Sequence, residues 1–378
     1  MRFLKFLIIV AIILIANHFL KWTYVKNDEN LSPLNDSVIA PASHAYGNMS
    51  PLKWIFLGEN YRKEWSEPVK MPVFHLGTTK GGFVILRMGG GQQTKKLILL
   101  NKKDSLTWEL RSVDKDVEHA LPHYMTNTIV ETIVQDGISA SYPYGLLTIH
   151  DLSKAVGIPS SPTELYYVPD DSTLGIFRSL FARTVCILYA DTIGNNKIIE
   201  GTDEMQKNLS AGNSKILQEQ LLKSRLFDML IGDWDRHNNQ WDWMKIDSGN
   251  LNYYYPIPKD RDQAYFKAHG IISFLVKTFY MPHLSGFNLH PTRLKQLNHK
   301  SHQFDRNYLK DLDGKDWKRI ILKFQHDLGD EDISKATKNL PPEVYKISGQ
   351  EIQKKLRTRR DELLPNALEY YYFLSKEK

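Results

Sequence analysis

Apolar positions fall along this chain in two registers: short runs broken by turns in the first half, helical spacing through most of the second. In the first half the runs 83–86, 97–100 and 106–110 are interrupted by glycines and polar residues. The turn 101–105 separates the last two, which predicts a hairpin in a small antiparallel sheet. Helical spacing appears over 124–139, where Met125, Ile129, Val130, Ile133 and Val134 recur. A short helix is expected from Asp151, ended by Gly157 and Pro159, and strands over 164–168 and 184–189. The polar, Gly- and Asn-rich stretch 191–213 predicts an exposed excursion. Helices dominate from Ser214. Leu217, Leu221, Leu222, Leu226, Phe227, Leu230 and Ile231 form a stripe that stops at Gly232. Strand-like runs 241–246 and 251–257 then flank the turn 247–250, and 317–372 reads as helices.

The first residues carry a different pattern. Arg2 and Lys5 precede an apolar run from Phe6 to Ala16 that continues to Leu20. At about 1.5 Å per residue, 3–24 could just cross about 30 Å of hydrocarbon. Bulky Phe19, Leu20 and Trp22 leave no small-x-small cleavage site, and no cysteine follows for lipoprotein processing. Arg2 and Lys5 favour a cytoplasmic N-terminus, although Lys21 and Lys26 weaken the bias. The expectation is a signal anchor over 1–25 and a polar tether over 26–50, with the main domain in the periplasm; secretion after cleavage is the alternative.

With 42% hydrophobic residues in 378, the chain can bury the core of two subdomains or of one large domain. The +6 net charge is spread among abundant acids. It suits a phosphate-bearing ligand or a membrane surface and is too diffuse for nucleic acid. A single cysteine, Cys186, excludes an intrachain disulfide and a multi-cysteine zinc site. The basic run 354–360 reads as a solvated helix face, or one that meets an anionic surface.

Candidate chemistry gathers after Gly232. Asp233-Trp234-Asp235-Arg236-His237-Asn238-Asn239-Gln240 follows the leucine-rich helix, and the hairpin returns to Lys259-Asp260-Arg261-Asp262. Phosphoryl transfer needs such a pair of acidic loops. One carboxylate positions and deprotonates the attacking hydroxyl; another, with an amide oxygen, holds the magnesium that bridges the phosphates. Local side-chain hydrogen bonds ordering a turn are the alternative.

Asp235-Arg236-His237 after such a helix resembles the catalytic loop of atypical kinases: HipA-type toxin kinases, spore-coat CotH kinases, secreted Golgi casein kinases and phosphatidylinositol 4-kinases. Tyr61-Arg62-Lys63-Glu64-Trp65, the segments 89–94 and 110–116, and 226–236 are together similar to a bacterial module often found with calcineurin-like phosphoesterases and outer-membrane barrels, over about 57–374. The resemblance implies that Asp235 is the catalytic aspartate and Asp260 the metal-binding one, with Asp262 as the alternative. Gln240 stands where the family usually has Asn; it keeps the amide oxygen on a side chain one methylene longer. Gly89, Gly90 and Gly91 would form a loop that lets the backbone approach nucleotide phosphates, a plain hairpin turn being the alternative. Arg111 takes the place of the phosphate-pairing cation, with Lys115 on the same strand face. Glu131 would be its ion-pair partner, or else Asp136.

The implied fold is α+β and two-lobed, protein-kinase-like, with a small β-rich N-lobe over 51–170 and a larger helical C-lobe over 171–378, preceded by the membrane helix. The implied cofactors are Mg and ATP, with the nucleotide, the membrane and an acceptor or envelope protein as partners. A non-catalytic kinase-fold scaffold is the rival, since ATP is scarce outside the cytoplasm and Gln240 departs from the family. A dinuclear metallophosphoesterase is more distant. The segment 232–238 is superficially similar to that family's Gly-Asp and Gly-Asn-His loops, but the upstream Asp-x-His is missing.

Overall fold

The computed structural model describes residues 36–47, 50–90, 94–117, 121–126, 128–191 and 198–376. The expected anchor over 1–25 lies outside them, and among the described residues no helix is long and apolar enough to cross a membrane.

The architecture is α+β, with eleven strands among the described residues. Strand β1 (Ser37–Ala40) pairs antiparallel with β2 (Val69–Pro72). Strands β3 (Phe83–Gly90), β4 (Lys95–Asn101), β5 (Thr107–Ser112), β6 (Thr163–Val168) and β7 (Thr184–Ala190) form a five-stranded antiparallel sheet in the order β3-β4-β5-β7-β6. Period-two alternation gives this sheet two unlike faces. Leu97, Leu99, Leu110, Cys186 and Leu188 are buried against Phe74, Leu174 and Phe181. Their neighbours Lys96, Glu109, Arg111 and Tyr189 turn to the other side, where they line a cleft. Cys186 is fully buried, and burial pushes its thiol pKa well up, so it packs as a small hydrophobe.

Two expected boundaries move. The five-stranded sheet includes β7, which ends at Ala190, beyond the boundary expected at 170. The expected tether does not hold for 36–47, because β1 buries Val38 and Ala40 and the following turn buries Ala42 and Tyr46. Four small or aromatic apolar residues among polar ones were enough to join the core.

The second sheet runs β8-β10-β11-β9, from Ile198–Gly201, Trp241–Asp247, Asn252–Pro258 and Ser214–Ile216. Within 191–213 the described residues form β8 and the helix Thr202–Ser210 rather than an exposed excursion. Met205 is buried there, and the Thr202 hydroxyl donates to the Asn238 carbonyl at 2.7 Å. The helix Gln218–Ile231 is largely buried from Leu221 on, with Ser224, Arg225 and Asp228 buried beside its leucines. Deleting a side chain such as Leu226 to Ala here costs about 2–5 kcal/mol. The helix ends at Gly232, whose φ of 71° is the left-handed cap glycine adopts without a Cβ clash.

The C-terminal helices Gln350–Asp361 and Leu363–Lys376 close against it. Arg359, expected on a solvated basic face, is buried. Its guanidinium donates to the carbonyls of Leu230 (2.7 Å), Met229 (2.5 Å) and Asn288 (2.9 Å). It thereby caps the end of Gln218–Ile231, where a cation also complements the helix dipole.

Candidate active site

Two backbone segments meet at the mouth of the cleft, and a buried arginine joins them. Arg236 donates to the carbonyls of Gln240 (3.1 Å), Lys259 and Asp260 (3.3 Å), and its Nε lies 3.3 Å from the Asp228 carboxylate. The loop after Gly232 and the loop after β11 are therefore fixed to each other through one side chain. Asp228 sits among three guanidiniums, at 3.0 Å from Arg225 and 3.0 Å from Arg261 besides Arg236. Burial pulls the Arg261 guanidinium down to about 10, with Asp228 opposing. Asp233 closes the turn by accepting the Asp235 N–H at 3.0 Å. Burial pushes its carboxyl up to about 7 against the pull of Arg236 at 3.2 Å.

The strand β5 and the segment after it contribute the cations. Arg111, on the cleft face of β5, lies 2.5 Å from Asp260 and 2.6 Å from Asp262, and also donates to the Thr94 hydroxyl at 3.3 Å. Lys115 lies 2.6 Å from the same Asp262 oxygen. Burial opposes ionisation of Asp260, but the Arg111 guanidinium outweighs it and holds the carboxyl well below the usual range. Asp260 adopts a left-handed backbone, φ 51°, unusual outside glycine. Its carbonyl accepts from Arg236 while its side chain meets Arg111.

Asp235 lines the same cleft and is paired with Lys300 at 2.6 Å. Lys300 stacks over the Trp234 ring at 4.6 Å. Gln240 is buried along this wall, and His237 lines it too. The cleft encloses about 1300 Å³, ample for a nucleotide with a second reactant beside it.

The structure thus brings Asp235, Gln240, Asp260, Asp262, Arg111 and Lys115 to one cleft. Gly89 and Gly90 are the last residues of β3, opposite Lys96 and Lys95, so the glycine segment is part of a β-hairpin. Gly91 lies outside the described residues. Glu131 sits in the first turn of the helix Ile129–Gly137. The cations expected to pair with it meet Asp260 and Asp262 instead. Asp136, the second choice, pairs with Arg62 at 3.0 Å and Lys53 at 2.9 Å. The Tyr61–Trp65 segment proves structural: Tyr61 donates to the Tyr265 carbonyl at 2.6 Å and Trp65 to that of Ser141 at 2.9 Å.

Three residues escaped the sequence reading. Lys300 lies 65 positions beyond Asp235 with no motif around it. Lys96 and Tyr189 both reach Glu109 on the cleft face, at 2.9 and 2.5 Å. Their strand alternation was the available signal.

The donor chemistry suits a hard cation. Asp260, Asp262 and Gln240 all line the cleft, and two carboxylates with an amide oxygen are oxygen donors of the kind magnesium takes. Among the described residues no group of three His, Cys, Asp or Glu is arranged to hold a metal.

No family model matches the chain, and no curated protein does either. Among solved structures it is similar to the Helicobacter pylori proinflammatory kinase CtkA, at 12% identity and a TM-score of 0.41, over 76% of this chain and 96% of that one. It is also similar to the Shewanella oneidensis MR-1 toxin–antitoxin system HipA, HipB and operator DNA complex, at 12% identity and a TM-score of 0.32, over 74% and 67%. With both scores under 0.5, neither likeness bears on what this chain does.

Proposed function

We propose that the cleft binds a magnesium nucleotide and transfers its terminal phosphoryl group to an acceptor hydroxyl, in a two-lobed kinase-like arrangement. One observation carries this: Asp235 shares a cleft with two carboxylates, Asp260 and Asp262, that are already matched to the cations Arg111 and Lys115. Arg111 and Lys115 would turn from these carboxylates to the phosphates. Asp260, Asp262 and the Gln240 amide oxygen would hold the magnesium, which would supply positive charge to offset that of the phosphates. Asp235 would orient the acceptor hydroxyl and take its proton as the oxygen attacks phosphorus. Arg236 keeps the two loops in register, so base and phosphate site stay at a fixed spacing.

The test is calorimetry of ATP with Mg²⁺ beside phosphotransfer by the same preparation. Saturable binding with turnover that Asp235→Asn abolishes supports the reading; no nucleotide binding by the wild type sinks it. A non-catalytic scaffold is the second reading, favoured by Gln240 and by the saturated Arg111–Asp260–Asp262 cluster. It predicts nucleotide binding at most, without turnover. A dinuclear phosphoesterase would need clustered histidine and carboxylate ligands, and the donor set gives no support for it.

We further propose that residues 3–24 anchor the chain in a membrane with the cleft on the periplasmic side, supported by the apolar run between Lys5 and Lys21. Recovery of a soluble mature form beginning after about residue 25 would show that the run is cleaved.

A further inference from the structure

We infer that Lys300 is a catalytic residue that contacts the phosphoryl group in flight. This rests on the phosphotransfer reading above. The ammonium lies 2.6 Å from one oxygen of the Asp235 carboxylate, Oδ1. It is held over the Trp234 ring at 4.6 Å, on the residue that precedes Asp235. An ordinary exposed ion pair between a long side chain and a carboxylate is mobile and worth little. This one is built in. Lys300 belongs to the turn His299–Ser301, and the Ser301 hydroxyl donates to the Arg236 carbonyl at 2.5 Å. The Ser301 N–H donates to the Asn298 carbonyl at 2.8 Å, and the Asn298 side chain accepts from Arg225 at 2.6 Å. The backbone that carries Lys300 is thus fixed to the loop that carries Asp235.

A carboxylate must offer an oxygen to the acceptor hydroxyl. With Oδ1 engaged by Lys300, Oδ2 is the oxygen left to do so. As the reaction runs, the hydroxyl proton passes to Asp235 and the hydroxyl oxygen bonds to the terminal phosphorus. The bond from that phosphorus to the bridging oxygen breaks, its electron pair leaving with the nucleoside diphosphate. Negative charge spreads over the phosphoryl oxygens throughout. Asp235 loses its own charge in that step, so the attraction that holds Lys300 to it falls as the phosphoryl group comes within reach. An ammonium placed beforehand at this spot stabilises that developing charge without reorganisation.

The experiment uses the full chain, with transfer of the terminal phosphate of Mg-ATP to the chain itself and to water as readout, beside Mg-ATP affinity by calorimetry. Lys300→Met should lower kcat by about 10²–10³-fold while affinity stays within about threefold. Lys300→Arg should recover at least about tenfold of that loss, since a cation is restored. Added to Asp235→Asn, Lys300→Met should cost little more than Asp235→Asn alone, because the two act in one step. A kcat for Lys300→Met within about twofold of wild type, with wild-type turnover present, overturns this inference and leaves phosphotransfer standing. So does a loss shared equally by affinity and kcat that Lys300→Arg does not relieve, since a packing role would give that. Absence of nucleotide binding by the wild type overturns the phosphotransfer reading and this inference with it.

Discussion

The Arg111 guanidinium on β5 reaches 2.5 Å from the Asp260 carboxylate, across 149 residues of sequence. Its second nitrogen meets Asp262 at 2.6 Å, so one planar fork holds both acids of the returning loop. The contact joins the sheet to the loops that Arg236 has already tied together. It also engages both carboxylates, so a cation that took them would first have to displace Arg111.

Magnesium alone should therefore bind weakly, because it must displace Arg111 and Lys115 from Asp260 and Asp262 with nothing to receive them. Phosphates provide that receiver. Calorimetric titration of Mg²⁺ should show affinity rising at least about tenfold, about 1.4 kcal/mol, when nucleotide is present. Equal Mg²⁺ affinity with and without nucleotide would refute this coupling. Asp260→Asn should lower Mg-nucleotide affinity, whereas Asp235→Asn should leave it nearly intact.

Arg236→Met should be among the most damaging single changes near the cleft. It removes the donors to Gln240, Lys259 and Asp260 together and takes one cation from Asp228 and Asp233. Breaking a buried pair of this kind costs about 3–5 kcal/mol, readable as a drop in the urea midpoint. A loss under about 1 kcal/mol would mean that the clamp is not what joins the loops.

How far the sequence reached depended on whether the signal was local. The leucine stripe to Gly232, the hairpins around 101–105 and 247–250, and the strands near 164–168 and 184–189 are set by neighbours within a few residues, and they appear where expected. Short motifs and strand alternation also singled out Asp235, Asp260, Asp262, Gln240, Arg111 and Lys115, which the structure brings to one cleft. What failed was pairing across distance. Glu131 looked like the partner of Arg111 since it follows in the next helix, yet the chain brings Asp260 from 149 residues away. Arg359 looked solvated in a basic run, yet one register position of that helix faces the carbonyl end of another. Polar residues over 36–47 concealed a strand whose burial depends on β2 being there to receive it.

Arg359 offers the direct check on that last kind of contact. Three carbonyls depend on it, and burial alone pulls its guanidinium down to about 9. Arg359→Met keeps much of the apolar stem while leaving those acceptors unsatisfied, so stability should fall by about 2–4 kcal/mol. Arg360→Met, on the neighbouring and more exposed ion pair with Asp330 at 2.7 Å, should cost less than about 1 kcal/mol. Similar losses at the two positions would contradict the capping role.

Asp233 gives the remaining prediction, in pH. Its carboxyl is raised from 3.8 to about 7, chiefly by burial. A raised carboxyl binds its proton more tightly in the folded state than in the unfolded one. Between about pH 4 and 7 the folded protein therefore holds a proton there that the unfolded chain has released, and stability from this group falls as pH rises through that window. Above about 7 both states are ionised and the contribution is flat. Asp260 does not interfere, since its lowered carboxyl contributes stability above the unfolded value near 3.9 and loses it only in stronger acid. His283 does interfere in the opposite sense: burial holds it near 4, so its contribution is present above about 6.5 and fades as pH falls toward 4. Comparison with Asp233→Asn separates them, because the histidine is common to both proteins. The stability of wild type relative to Asp233→Asn, from urea midpoints, should be larger at pH 5 than at pH 8, by about 1.4 kcal/mol for each pKa unit realised in that interval. A difference that is constant from pH 5 to 8, or larger at pH 8, would show that Asp233 is ionised throughout and that its pairing with Arg236 outweighs its burial.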